Sequence, residues 1–563
     1  MDYAKQLSER QTPQSEKIPG STQVPNSAGG FAWPVDDWTR LDRFLVLGNE
    51  GGTYYARERT LTVENAAGVL RCLALDGPRA VARIAAVSDA GRAPKNDPAI
   101  FALSLAVTHG DSKTKAAALA TLPAVCRVGT HLFHFLQALE QLRPHGPKEG
   151  HAPNGGPAVG VYGRSVRRGL GRWYTGKDID ALAYQAIKYQ QRDGWAHRDV
   201  LRLAHPKTDE AARARLLRWM VGKPVEDAAA LPALVRAFLQ VQAEPSDVKA
   251  AVRLIRQYDL PREALPTELL QSADVWAALQ ERMPMTALIR NLPTLTRVGV
   301  CAPLSAGTQH VVAQLGDADR LRKARIHPIQ LLAALRTYAQ GHGERGKAIW
   351  EPVGQIVDAL DGAFYLAYGN LTPSTARHVL ALDVSGSMGG GNMGGVPGLT
   401  PREGACAMAL VLAHQYPANV IIGFTTSGPG VFAVGGSAHG PGYAKAVAPL
   451  EITAKWRLDQ ATAYVARLPF GGTDCALPML WAEAEKVQAD AFTVITDNET
   501  WAGNIHPSQA LRQYRQRLGI PAKCAVIGMT ATQFSIADPA DAGMLDVVGF
   551  DTAVPQLLTD FIG

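Results

Sequence analysis

The sequence has 563 residues, of which 47% are apolar, enough for several folded domains with cores of their own. No apolar run approaches the roughly 18 residues that a spanning helix needs, and the start lacks the charged-then-apolar layout of a secretion signal. A membrane protein and a secreted one are thereby disfavoured, and a folded protein of the cytoplasm is expected.

The net charge of +6 is unevenly spread. From residue 372 onward there are 11 Lys+Arg against 15 Asp+Glu, so residues 1 to 371 hold 46 basic and 36 acidic side chains. A polyanionic partner is expected on that N-terminal two-thirds. The six cysteines (Cys72, Cys126, Cys301, Cys406, Cys475, Cys524) form no CxxC pair and have no His at zinc-ligand spacing, which predicts buried thiols in a reducing compartment.

In chain order, residues 1–30 are polar and rich in Ser, Pro, Gln and Gly, and read as a flexible arm. Residues 31–370 form the first domain. From about residue 60 to 365, short segments with Ala, Leu and Val at helical spacing follow one another, broken at Gly, Pro, Asp and Asn. Short antiparallel helices without a strict period predict an irregular α-solenoid of the HEAT type, and the lack of polar capping repeats makes an array closed on itself plausible. The Gly/Pro-dense stretch at 142–160 reads as a loop within it. Residues 371–563 form a second domain: apolar runs such as RHVLALDVS, NVIIGFTT, VFAVGG, AFTVITDN, AKCAVIG and MLDVVGF alternate with helical stretches, the pattern of a mostly parallel, doubly wound α/β sheet.

Residues 164–207 carry ten Lys/Arg against four Asp, interleaved with Trp173, Tyr174, Tyr184, Tyr189 and Trp195. Basic side chains neutralise phosphates and aromatic faces stack unpaired bases, so the mixture suits single-stranded nucleic acid, although such stripes are also ordinary solvated faces and core aromatics. Helical spacing puts Ile179, Leu182, Ala183, Ala186 and Ile187 on one buried stripe with Lys188 and Arg192 beside it. Arg198, Arg202 and His205 then share a face of the next helix, which Pro206 ends.

In the second domain three segments belong together. Asp383-Val384-Ser385-Gly386-Ser387 closes the first strand, Gly471-Gly472-Thr473-Asp474 lies in a loop, and Thr496-Asp497 ends a Val/Ile strand. In an open α/β sheet, ligands bind beyond the carboxyl ends of strands at the switch point, where these segments can converge. Each alone also reads as an ordinary helix cap. Together they resemble the metal-ion-dependent adhesion site of von Willebrand A domains. A hard cation such as Mg²⁺ takes oxygen ligands; the resemblance implies that Ser385, Ser387 and Thr473 bind it directly, with Asp383 and Asp497 acting mostly through waters.

The stretch from Lys188 to Lys207, KYQQRDGWAHRDVLRLAHPK, together with Arg43-Phe44-Leu45-Val46-Leu47-Gly48 and Gly52-Thr53-Tyr54-Tyr55, resembles the TROVE module of the Ro autoantigen family. The resemblance implies a ring of HEAT-like repeats whose ends the A-type domain joins, binding Y-like small RNA on its outer surface and single-stranded 3′ ends of misfolded or ribosomal RNAs in its central hole. It also implies presentation of those ends to an exoribonuclease such as polynucleotide phosphorylase. By motif position Lys188, Arg192 and His205 match RNA-contacting residues; Arg164, Arg168 and Arg198 are added on charge and location. Two other readings stand beside this one: a metal-dependent nuclease, disfavoured by the few anionic ligands, and a protein-interaction scaffold that uses the metal.

Overall fold

The computed structural model describes residues 11–48, 66–142, 161–225, 227–343, 348–369, 373–390, 399–426, 446–468, 471–530 and 532–562. The Gly52–Tyr55 motif, the 143–160 stretch and the VFAVGG run lie outside these residues.

The first two-thirds of the chain is helical. It opens with α1 (Asp37–Leu47), capped by the Asp36 carboxylate on the Thr39 amide and ended by Gly48 at φ 86°, a left-handed C-cap that glycine adopts without strain. Next come α2 (Ala67–Asp89), α3 (Asp97–His109), α4 (Ser112–Val125) and α5 (Gly129–Gln141). Two consecutive sequence segments merge in α2 across a kink at Asp76, just before Pro78. Helix α3 is buried over ten consecutive residues, Pro98 to Val107, because α2, α4 and α5 surround it.

The array continues through α6 (Arg164–Thr175), α7 (Ile179–Lys188), a hairpin of β3 (Gln191–Arg192) and β4 (Trp195–Ala196), α8 (His197–Ala204) and α9 (Ala211–Met220). After α10 (Ala233–Ala243), α11 (Val248–Tyr258), α12 (Ala273–Glu281), α13 (Met285–Arg297), α14 (Ala306–Leu315) and α15 (Ala318–Lys323), it ends with α16 (Pro328–Ala339) and α17 (Gly354–Leu366). The far end returns to the start. Arg325 pairs with Asp89, the His327 ring bonds the Arg92 carbonyl at 3.1 Å, and Gln330 donates to the Pro94 carbonyl at 2.7 Å. The array is thus closed into a ring-like solenoid.

The C-terminal domain is a six-stranded sheet of β5 (His378–Asp383), β6 (Asn419–Phe424), β7 (Val447–Pro449), β8 (Ala491–Thr496), β9 (Lys523–Gly528) and β11 (Met544–Val548). Its order is β11-β9-β8-β5-β6-β7, all parallel except β7. All six residues of β5 and of β8 are buried, as expected of central parallel strands covered on both faces. Alternate residues serve two cores. Val379 and Ala381 pack with Phe492 and Val494 beneath α21 (Pro507–Leu518), whereas Leu380 and Leu382 join a core continuous with the helical ring through α18 (Pro401–Gln415). Helices α19 (Leu458–Ala466), α20 (Leu477–Ala484) and α22 (Val554–Ile562) complete the layers.

The A-type domain grips both ends of the array. On one side Arg43 pairs with Asp546 at 2.7 Å and Arg92 with Asp551; on the other Arg336 reaches Glu403 at 3.1 Å and the Leu458 amide donates to Asp361 at 2.7 Å.

Residues 11–30 correct the expectation of a flexible arm. They lie along the A-type domain, with β1 (Val24–Pro25) paired to β2 (Phe31–Pro34) and β2 paired to β10 (Phe534–Ser535). Gln14, Gln23 and Asn26 are buried, and their amides bond Asp474, His506 and the Thr500 carbonyl. The segment is anchored by hydrogen bonds in place of apolar burial, so a test for apolar residues passes over it.

No helix among the described residues is long and apolar enough to cross a membrane. All six cysteines are free and buried.

Candidate nucleic-acid and metal sites

The basic segment spans three short elements. Helix α7 starts at the Asp178 cap and stops at Lys188, with Leu182, Ala183 and Ile187 buried and Ile179 and Ala186 at the edge. Arg192 therefore does not continue the helical face of Lys188. It lies in β3, opposite Trp195, across the two-residue turn Asp193-Gly194 at φ 53° and 78°. Positive φ at both positions is the type I′ geometry that Asp-Gly favours, and this dipeptide was the signal for a hairpin.

His205 also departs from the expected helical face. Helix α8 ends at Ala204, and His205 caps it in the left-handed region at φ 45°, ψ 55°. A non-glycine residue there costs about 1 kcal/mol or more, and such strain concentrates at functional positions. Gly171 of α6 has room for no more than van der Waals contact with Pro206, 3.6 Å from where its Cβ would stand, so α6 passes beside the His205 segment. Arg164, Arg168, Arg192, Arg198 and His205 are exposed. The Lys188 ammonium donates to the Tyr184 hydroxyl at 3.0 Å and stands over the Tyr184 and Tyr189 rings at 5.2 and 5.6 Å.

Two of the five interleaved aromatics do not face a ligand. Trp173 and Tyr174 are fully buried around His197, whose ring stacks on Trp173 and accepts or donates a 2.9 Å bond with the Tyr174 hydroxyl. Burial holds His197 down at about 4, so it is neutral, and this cluster is the keystone that fixes α6 against α8. Tyr184, Tyr189 and Trp195 remain partly exposed.

At the second site, Asp383 ends β5 and Asp497 follows β8, neighbouring strands whose carboxyl ends open on the same edge of the sheet. The Asp383 carboxylate accepts from the Ser385 amide at 2.9 Å and from the Thr496 hydroxyl at 2.6 Å, while the Ser385 and Ser387 hydroxyls are 3.1 Å apart. Thr473 is held by its carbonyl, which accepts the Trp501 and Ala502 amides at 3.1 Å. The Gly386 amide bonds the Gly471 carbonyl at 3.1 Å and ties the first segment to the second. The five predicted residues thus come from segments tied to one another, and Asp383, Ser385, Thr473 and Asp497 are buried.

Burial, and second the neighbouring Asp497 carboxylate, push Asp383 up to about 7; burial raises Asp497 as well. Two neighbouring buried carboxylates, with serine and threonine hydroxyls beside them, favour a bound positive charge. That donor set fits a hard divalent cation, with oxygen ligands and room for water. Among the described residues no group of three or more His, Cys, Asp or Glu offers an alternative metal cluster.

Two contributors were not read from the sequence. Arg402, buried in α18, donates to the Val384 and Ser385 carbonyls at 2.9 Å each and so fixes the turn that presents the serines. The Thr400/Glu403 capping box marks where that helix starts, but gives no hint of the arginine's direction. Gln14 joins the loop after Thr473 to the loop after Asp497, through Asp474 and Thr500.

A closed helical solenoid whose ends are clasped by a von Willebrand A-type domain defines a narrow class of proteins. The chain matches the TROVE domain over residues 24–231 and 229–376 and the Ro60 vWA domain over 377–562. It is 43% identical over 553 residues to the RNA-binding protein RO60 of Deinococcus radiodurans, covering 98% of this chain and 97% of that one. It is also 36% identical over 616 residues to the RNA-binding protein RO60 of Caenorhabditis elegans, covering 98% and 91%. The crystal structure of the Deinococcus radiodurans RO (RSR) protein superposes with a TM-score of 0.66 over 94% of this chain and 99% of that one, at 43% identity. The chain belongs to the Ro60 family of TROVE-domain proteins.

Proposed function

We propose that this protein binds RNA through the solenoid and does not itself cut it. The observation that carries the reading is the exposed basic surface from α6 to His205, backed by partly exposed aromatics and by a strained, exposed histidine. Lys188, Arg192 and His205 are its centre, with Arg164, Arg168 and Arg198 extending it. Relatives over nearly the whole length are named RNA-binding proteins. In this reading a Y-like RNA docks on the outer surface, a single-stranded 3′ end of a misfolded or ribosomal RNA enters the ring, and a partner nuclease such as polynucleotide phosphorylase in the cytoplasm carries out the chemistry. Titrating a labelled RNA that has a structured body and a free 3′ tail over a salt series tests it. The expected result is affinity that falls steeply with salt while the RNA stays intact; salt-independent binding or cleavage would refute it.

The A-type domain is read as a Mg²⁺ site held by Ser385, Ser387 and Thr473, with Asp383 and Asp497 behind water. When bound, the ion would supply a coordination position for an acidic group of a macromolecule. A specific feature favours a protein ligand there as a second role: Trp501, 44% exposed, lies against Gly472 beside Thr473, where an added Cβ would stand 2.7 Å from its ring. An exposed aromatic at the rim of a metal loop is an anchor for a partner's apolar side chain.

A further inference from the structure

We infer that a cavity beside Lys188 receives one unpaired nucleobase, and that it prefers bases carrying an exocyclic amine. This rests on the reading of the Lys188 region as the RNA site. The cavity, about 140 Å³, lies where α7 meets α11, α12 and α13, and its wall includes both Tyr184 and Lys188. That size has room for one planar ring system.

Its walls and its rim differ in chemistry. Ile255, Leu260, Leu279 and Met283 provide apolar walls, and Tyr184 adds an aromatic face to which a base can stack. Around these stand four cationic and three acidic side chains, but most are engaged with each other: Arg256 pairs with Glu281 at 2.8 Å and Arg282 with Asp259 at 2.9 Å. Lys188 is engaged only by neutral groups, the Tyr184 hydroxyl and the Tyr184 and Tyr189 rings, and Arg262 is 3.9 Å from Glu263, too long for a good hydrogen bond. Lys188 and Arg262 are therefore the cations that can turn to a phosphate.

The edge preference follows from the acceptors. Asn291 uses its amide nitrogen on the Ala287 carbonyl at 2.7 Å, which leaves its carbonyl oxygen as the group it can offer a ligand. Glu263, the one carboxylate of the lining that no arginine holds within hydrogen-bond distance, adds a second acceptor, and the pair suits a base edge that carries an amino donor. Adenine, cytosine and guanine present amino groups, and uracil lacks one. The apolar walls argue against a phosphate in the interior, so the base enters and its phosphate stays at the Lys188 rim.

The test compares a fully paired hairpin RNA with the same hairpin carrying a short 3′ overhang of adenosines or of uridines, for wild type and Ala287→Phe. Ala287 lines the cavity, and the larger ring fills existing space. Wild type should bind the adenosine overhang about tenfold more tightly than the uridine one, and Ala287→Phe should lose that difference while holding the paired hairpin as wild type does. Equal binding of the adenosine overhang by both proteins would overturn the pocket and leave the RNA site standing. Failure of wild type to bind any of the three RNAs would overturn both. Should Ala287→Phe melt before wild type, photocrosslinking of 8-azidoadenosine in the overhang to the wild-type protein decides: crosslinks at Tyr184 or within 255–291 support the pocket, and crosslinks confined elsewhere refute it.

Discussion

The side-chain amide of Gln14 donates to the carboxylate of Asp474 at 2.7 Å across 460 residues of sequence. The same amide reaches the Ile505 carbonyl at 2.8 Å, and its oxygen accepts from the Thr500 hydroxyl. One buried glutamine of the N-terminal segment therefore fastens the two loops that flank Thr473 and Asp497. Replacing it should leave buried polar groups without partners. Gln14→Ala is expected to cost about 2 kcal/mol in denaturant unfolding and to weaken Mg²⁺ binding, measured by calorimetry. A variant with unchanged stability and metal affinity would show that the segment merely lies on the surface.

The charge of the proposed Mg²⁺ site predicts opposite responses with and without the ion. Without a divalent ion, Asp383 and Asp497 oppose each other in a buried setting, so Asp497→Asn in chelator should melt no lower than wild type. Mg²⁺ at a hundred times its Kd should stabilise wild type by about 2.7 kcal/mol and the variant not at all. A variant that gains equally from Mg²⁺ would remove Asp497 from the site.

Arg43 is buried in α1 and holds Asp546 of β11 as well as the Phe534 carbonyl at 3.2 Å. Arg43→Met strands a mostly buried carboxylate, and a loss of about 3 kcal/mol is expected. Adding Asp546→Leu should recover part of it, a coupling that a double-mutant cycle reads directly. Strict additivity of the two changes would mean that the ion pair does not join ring and A-type domain.

At the ring's closing seam His327 has a fixed tautomer: its Nδ1 accepts the Ile329 amide at 3.2 Å, so its Nε2 carries the proton toward the Arg92 carbonyl. Burial holds it down at about 4, below the ordinary 6.5, despite opposing help from nearby backbone carbonyls and Asp551. Because the unfolded chain binds this proton more readily, the histidine's contribution is fully present above pH 6.5 and is lost as pH falls toward 4. The stability gap between wild type and His327→Asn should therefore narrow by about 3 kcal/mol between pH 7 and pH 4. A gap constant with pH would mean that the seam tolerates the charged ring.

Periodicity made the large features legible. Buried runs such as His378–Asp383 and Ala491–Thr496 announce central parallel strands, and the motif order around Asp383, Thr473 and Asp497 survives folding into one place. Three things stayed hidden, each for a physical reason. The N-terminal segment is anchored by amides, which no apolar pattern signals. Helical spacing extended α7 and α8 through Arg192 and His205, whereas the Asp193-Gly194 turn and the Ala204 terminus interrupt both faces. Trp173 and Tyr174 look like stacking aromatics in a basic segment until the burial of His197 claims them for the core.

RNA held at the end of α7, in the hairpin and after α8 is the proposal on which the rest depends. The most direct measurement is the affinity of a tailed, structured RNA for wild type and for Lys188→Ala/Arg192→Ala/His205→Gly, with glycine at 205 because that backbone is left-handed and alanine would retain the strain. The triple variant should keep the wild-type melting temperature or melt slightly higher, with RNA binding weakened by at least tenfold and a shallower dependence on salt. Equal affinity and equal salt dependence in the two proteins would contradict it.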